Sequence, residues 1–381
     1  MRRKVTVIVV ALLAIVCCMP AEARTSEVTS TSAADARITY VGRTSVSPEG
    51  DVSFSWSGVS VRIAFEGNYL AIHASDTHRN YYNVWLDASS TADEPDKVIA
   101  IEGDRVETVL FDEADFKVRY GRHIPSGPHD VILQKRTEGE QGTTTLHTIL
   151  TEGRLLQAAP LKERMIEFIG DSYTCGYGTE GKSAQEHFTA ETENSNFSYW
   201  AIVSRYFDAD AFVVAHSGWG ICRNYNDMLR GDHMPLRYLH THDSAEGEVW
   251  NAQSSAFRPA LTVILLGTND FSCDRQPSLS VWRDAYITLL KEIKANYGDS
   301  HPILCTAARG DAMVYEYVKA AVEASGLSNV WHMSYGMGTF SDMEMGSDWH
   351  PNYTAHRKIA YSIIPYISTL TGWSLEDNPV K

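Results

Sequence analysis

Met165-Ile166-Glu167-Phe168-Ile169-Gly170-Asp171-Ser172 is the stretch whose reading decides the fold of this 381-residue chain. It opens as a strand-like run and ends in a glycine, an aspartate and a hydroxyl nucleophile. In open α/β sheets the carboxyl end of a strand is where ligands bind. Gly170 lets the backbone turn sharply there, and the N-terminus of an adjoining helix would favour negative charge developing at Ser172. Gly-Asp-Ser is also ordinary turn and N-cap chemistry, so other stretches have to decide between a catalytic and a structural serine.

Further apolar runs at 211–215, 261–266, 303–306 and 330–333 alternate with helical patterns. Val281, Ala285, Leu289 and Ile293 recur at four-residue steps, and Ile359, Ile363 and Ile367 share one face of the last helix. Alternating βα units predict an α/β domain over residues 160–375, a parallel sheet flanked by helices. Over residues 37–158 the period is two instead. Val59, Val61, Ile63 and Phe65 make one alternating set, and others lie at 69–74, 83–87, 106–111 and 130–135. Turn clusters such as Ser47-Pro48-Glu49-Gly50 and Glu66-Gly67-Asn68 separate them. Many short strands without a convincing helix predict an all-β sandwich of jelly-roll type. Residues 24–36, rich in Ser, Thr and Ala and without apolar period, read as a flexible leader.

Residues 1–23 begin Arg2-Arg3-Lys4, continue apolar to Cys18 and end Ala21-Glu22-Ala23, the pattern of a secretory signal peptide. The apolar run is short for a transmembrane helix, and nothing comparable follows. Val16 before Cys17 is not the small residue that lipid attachment favours. A secreted or periplasmic protein without stable membrane insertion is therefore expected. Removing that segment, with its three basic residues and one acidic residue, takes the formal charge from −15 to −17. Such acidity argues against nucleic acid as a partner and fits neutral substrates such as polysaccharides. Cys175, Cys222, Cys273 and Cys305 remain, too sparse for a disulfide scaffold. Cys175 and Cys222 both follow motifs and a bridge between them is conceivable, but free thiols are expected.

Three later stretches fall after strand runs or before the last helix: His216-Ser217-Gly218-Trp219-Gly220, Gly267-Thr268-Asn269-Asp270 and Asp348-Trp349-His350-Pro351-Asn352. Taken in order, Gly170-Asp171-Ser172, Gly218, Asn269 and His350-Pro351 resemble the four blocks of the SGNH (GDS-type) hydrolase superfamily. With Arg79-Asn80-Tyr81-Tyr82-Asn83-Val84 and Lys135-Arg136-Thr137-Glu138 added, nearly the whole chain after residue 23 is similar to carbohydrate esterase family 2, the acetylxylan esterase-like enzymes. That resemblance implies a jelly roll followed by an SGNH-hydrolase-like α/β domain, and removal of acetyl groups from plant polysaccharides. It implies Ser172 as nucleophile and His350 as general base and acid. It also implies an oxyanion hole built from the N–H groups of Ser172 and Gly218 and the side-chain amide of Asn269. Such acyl transfer needs no metal or other cofactor.

One spacing departs from the superfamily. An Asp usually stands three residues before the His, where this chain has Ser347, and Asp348 stands only two before. Either Asp348 orients His350 or a backbone carbonyl does, which would leave a Ser-His dyad. Trp219, Trp349 and Tyr173 adjoin the motifs and are candidates for contact with sugar or acyl group. Asp171 reads as a cap that holds the turn. His233, His240 and His242, with Asp232 and Asp243, form a cluster better explained as a solvated polar loop than as a metal site. The alternatives are a lipase or thioesterase of the same superfamily, and a carbohydrate-binding protein with a vestigial catalytic domain.

Overall fold

The computed structural model describes residues 27–375, apart from 89–90, 92–93, 126, 228–231, 245, 274–275, 308–311 and 336–339. The signal-peptide segment 1–23 lies outside the described residues. The N-terminal part is a ten-stranded antiparallel sheet system built from β1 (Val28–Ser32), β2 (Thr39–Val41), β3 (Ser45–Val46), β4 (Val52–Phe54), β5 (Ser60–Glu66), β6 (Leu70–Leu86), β7 (Lys97–Phe111), β8 (Pro128–Lys135), β9 (Thr144–Glu152) and β10 (Arg154–Leu156). Its main path runs β10-β5-β8-β6-β9-β4-β3, with β1 on β9, β2 on β5 and β7 on β6.

Three expectations are corrected here. The leader contains a strand: Val28 to Ser32 pair antiparallel with Glu152 to Thr148, because an edge strand needs only backbone partners and β-tolerant residues. The runs at 69–74 and 83–87 belong to one strand, β6, which pairs with β9 through residues 70–76 and with β8 through residues 82–86. Register shifts between Ala74 and Arg79 bend it, and the exposed Thr77, His78 and Arg79 interrupt the alternation. The region also holds a helix, α1 (Glu113–Tyr120), capped by Asp112, whose carboxylate accepts the Asp115 N–H at 2.7 Å, and closed by the left-handed Gly121. Only Phe116 of α1 is buried, so its apolar pattern is too thin to reveal it.

Val59, Val61, Ile63 and Phe65 do point inward together. The opposite face of β5 is not solvent-facing, however. Ser60, Arg62 and Ala64 are buried too, and Arg62 forms an ion pair with Asp210 of the C-terminal part.

That C-terminal part is a five-stranded parallel sheet of β11 (Met165–Gly170), β12 (Asp210–Ala215), β13 (Leu261–Leu265), β14 (Ile303–Ala307) and β15 (Val330–Ser334), in the order β12-β11-β13-β14-β15. Its helices are α2 (Ser172–Cys175), α3 (Tyr199–Phe207), α4 (Met234–Arg237), α5 (Leu279–Tyr297), α6 (Ala312–Ser325) and α7 (Tyr353–Thr371). Ile359, Ile363 and Ile367 of α7 pack with Trp200 and Val203 of α3 against Phe168 on one face. Trp282, Leu289 and Ile293 of α5 pack with Val314 and Val318 of α6 against Ile264 on the other. Val281 is 58% exposed, contrary to its place in the four-residue series. A strict step of four drifts round a helix of 3.6 residues per turn, and the buried face begins at Trp282 instead. Among the described residues no helix is long and apolar enough to cross a membrane.

Candidate active site

The strand order assembles the motifs. β11 lies between β12 and β13, so the loops leaving these three neighbours bring Ser172, Gly218 and Asn269 together at the carboxyl end of the sheet. Gly170 sits so tightly that a Cβ there would come within 1.9 Å of the Thr174 hydroxyl oxygen. Asp171 caps α2: its Oδ1 accepts the Tyr173 N–H at 3.2 Å, and Oδ2 receives Asn269 Nδ2 at 3.5 Å. Burial raises the Asp171 pKa to about 7, with the charges of Asp270 and Glu138 pushing the same way and the Tyr173 N–H opposing. Among the described residues neither the Ser172 N–H nor the Gly218 N–H has a protein acceptor, and both residues line an open cleft. Asn269 lines it too, its Nδ2 donating to the Trp219 carbonyl at 3.0 Å.

His350 arrives from the far end of the chain, three residues before α7. Its Nε2 lies 2.9 Å from Ser172 Oγ. Its Nδ1 lies 2.9 Å from a backbone carbonyl, that of Asp348. The Asp348 carboxylate as orienter of His350 is therefore corrected: it accepts the Phe188 N–H at 2.9 Å, pairs with His187 Nδ1 at 3.1 Å and receives the Tyr177 hydroxyl at 3.3 Å. The cause is a turn in which Asp348 (φ 48°) and Trp349 (φ 62°) are both left-handed. It aims the carbonyl at the imidazole and the side chain away from it. Partial burial works against charge on Asp348, but the Phe188 N–H, His187 and Tyr177 outweigh it and hold its pKa below the usual value. The turn is anchored from outside as well, with Ser347 N donating to Gly178 O at 3.0 Å and Asp348 N to Glu186 O at 2.9 Å. Tyr177, its ring centroid 4.3 Å from that of His350, and Tyr173, at 5.9 Å, fix the imidazole plane.

The aromatic candidates divide. Trp349 is 56% exposed on the cleft wall beside His350. Tyr173 is buried, its ring edge-on to both His350 and His356, so it braces the base. Trp219 is half-buried; the Arg237 guanidinium lies 4.0 Å over its ring, and His216 meets it edge-on. Tyr225, which the sequence reading missed, is exposed and lines the cleft next to Gly218. Asp270 was also missed. Its carboxylate accepts the N–H groups of Ile221, Cys222 and Arg223 at 2.8–3.0 Å, bracing the loop that carries Gly218 and Trp219. The one available signal was its place directly after Asn269.

The histidine-rich loop disperses into separate contacts. Asp243 pairs with His216 and Arg237, Asp232 with Arg237, and His242 Nε2 lies 2.8 Å from Ser45 Oγ. Burial opposes charge on His216, but Asp243 at 2.7 Å outweighs it and raises the imidazole pKa. Among the described residues the four cysteines, Cys175, Cys222, Cys273 and Cys305, are free, Cys175 and Cys305 buried.

A strand-end serine whose hydroxyl meets an imidazole, beside unpaired N–H groups, is the arrangement of a serine hydrolase. Comparison with known proteins agrees. Residues 40–160 match the family described as carbohydrate esterase 2 N-terminal, and residues 168–358 match the GDSL-like lipase/acylhydrolase family. The cellulase/esterase CelE of Acetivibrio thermocellus is 31% identical over 344 residues, which make up 88% of this chain and 40% of that relative; the chain thus spans under half of that protein's length. An acetylxylan esterase / glucomannan deacetylase of Cellvibrio japonicus is 26% identical over 337 residues, 84% of this chain and 86% of that one. The structure of a family two carbohydrate esterase from Clostridium thermocellum, in complex with cellohexaose, matches with a TM-score of 0.78 at 30% identity and covers 88% of this chain and 100% of that one. The chain belongs to the GDSL-like hydrolases and, among them, to the family 2 carbohydrate esterases.

Proposed function

We propose that this protein is a secreted serine esterase that removes O-acetyl groups from plant cell-wall polysaccharides or their oligosaccharides, xylan and glucomannan being the favoured classes. The observation that carries the reading is the 2.9 Å contact between His350 Nε2 and Ser172 Oγ at the floor of an open cleft. Ser172 Oγ attacks the acetyl carbonyl carbon while His350 Nε2 takes its proton. The Asp348 carbonyl accepts from Nδ1–H and steadies the imidazolium, in the part a carboxylate plays in a triad. The N–H groups of Ser172 and Gly218 and the Asn269 amide stabilise the oxyanion. His350 then protonates the departing sugar oxygen, leaving acetyl on Ser172, and water, deprotonated by His350, releases acetate.

The polysaccharide assignment rests on the relatives named acetylxylan esterase / glucomannan deacetylase and on the exposed Trp349 and Tyr225 beside the nucleophile, which offer flat apolar faces to sugar rings. Secretion rests on the signal-peptide pattern of residues 1–23, and the N-terminal β region, ending near residue 158, is read as a jelly roll. The test is acetate release from acetylated xylan and from 4-nitrophenyl acetate by wild type and Ser172→Ala. Turnover by the wild type, lost in Ser172→Ala, is expected; a variant that keeps the wild-type rate refutes the reading.

A further inference from the structure

The loop that carries Gly218 is held from several sides, and one of its holders comes from the other half of the molecule. Glu138 follows β8 in the run Lys135-Arg136-Thr137-Glu138 and is fully buried. Its Oε2 accepts the Ser217 N–H at 2.6 Å, a short charge-assisted bond, and the Cys175 thiol at 3.4 Å. Its own N–H donates to Glu193 Oε2 at 3.1 Å, and its carbonyl accepts from Lys135 Nζ at 2.9 Å. The next residue, Gly139, is wedged against the site, since a Cβ there would come within 2.3 Å of Asp243 Oδ2.

The carboxyls of Glu138 and Glu193 and the Cys175 sulfur lie within 4.8 Å of one another, all buried. Among the described residues Oε1 of each glutamate is buried without a donor, which a proton shared between the two carboxyls would supply. Burial and the Glu138 charge drive the Glu193 pKa far above the usual carboxylate range, consistent with that proton resting on Glu193. The other carboxyl oxygen of Glu138, Oε2, is directed at Ser217.

We propose that Glu138 is a positioning residue for the oxyanion hole. By accepting the Ser217 N–H it fixes the His216–Ser217 peptide, and with it the neighbouring Ser217–Gly218 peptide whose N–H faces the reacting carbonyl. The N-terminal part then completes the catalytic apparatus as well as flanking it. This rests on the esterase reading above.

The test compares Glu138→Asp with Glu138→Gln. Asp keeps the charge but withdraws the acceptor by one C–C bond, about 1.5 Å, which opens the Ser217 contact to about 4 Å. Gln loses the charge but keeps a carbonyl for the Ser217 N–H and gains an amide for Glu193. The expected result is a kcat on 4-nitrophenyl acetate lower by about 10- to 100-fold in Glu138→Asp, with KM within about twofold. Glu138→Gln stays within about threefold of wild type, on the scale of one neutral hydrogen bond. Amide exchange at Ser217 and Gly218, read in every variant, must quicken in Glu138→Asp and not in Glu138→Gln. Equal loss in both variants, no loss in either, a change confined to KM, or a kcat loss with Ser217 protection intact overturns the proposal. A wild-type enzyme without turnover refutes the esterase reading itself and this proposal with it.

Discussion

Replacing Asp348 with asparagine separates two ways of holding His350. If the carboxylate were the third member of a triad, its conversion to an amide would impose the wrong imidazole tautomer and cost about 10⁴ in kcat. Here Nδ1 meets the Asp348 carbonyl, which the substitution leaves in place. Asn also tolerates the left-handed φ of 48° better than other non-glycine residues, so the turn keeps its shape. Asn Oδ1 still accepts the Phe188 N–H, now without the charge, which weakens that 2.9 Å bond by about 1 kcal/mol. The lost pairing with His187, whose side chain is 95% exposed, contributes little. About 1 kcal/mol transmitted wholly to the transition state is about a fivefold loss of rate. Asp348→Asn is therefore expected to keep kcat for 4-nitrophenyl acetate within about tenfold of wild type. A loss of 10³-fold or more would refute the carbonyl assignment.

Asn269→Ala should lower kcat by about 10²- to 10³-fold with KM little changed, as removal of an oxyanion donor does, and steady-state kinetics on a nitrophenyl ester would show it. Trp349→Ala should weaken kcat/KM for acetylated oligosaccharides by about tenfold, the scale of one aromatic contact, while sparing 4-nitrophenyl acetate; parallel loss on both would place Trp349 in the reaction itself. Asp171 carries a pKa raised to about 7, so folding takes up a proton there. Its favourable contribution is complete below the unfolded-state value and is lost as pH rises through about 7. Asp171→Asn keeps the cap and removes this dependence, so urea unfolding should show the variant gaining on wild type from pH 4 to 7 and then holding constant; a difference independent of pH would contradict the shift.

Runs dominated by apolar residues made the parallel strands legible, because strands covered on both faces show little polar alternation to disguise them. The strand ends then placed Ser172, Gly218 and Asn269 without any knowledge of side-chain contacts. What escaped was conformation at single residues. Spacing alone cannot reveal that Asp348 and Trp349 are left-handed, and that turn decides which group of Asp348 meets the imidazole. Long-range partners escaped equally. Glu138 precedes Ser217 by 79 residues, and no local pattern marks the contact. The helix at residues 113–120 and the continuity of β6 were hidden for a related reason, since stretches that bury few side chains leave little periodic trace.

Arg43 and Glu167 form an ion pair between the two halves of the molecule in which both side chains are fully shielded from water. Glu167 also receives hydroxyl hydrogen bonds from Tyr297 at 2.9 Å and Thr262 at 3.1 Å, and Arg43 donates to the His240 carbonyl at 2.9 Å. Breaking a buried pair by removing one partner costs about 3–5 kcal/mol, because the survivor is left desolvated and uncompensated. That sets a rule for building chimaeras between relatives. An exchanged N-terminal half must bring a cation to the place of Arg43, or the recipient must give up Glu167 at the same time, and a graft that ignores this matching strands a charge at the seam.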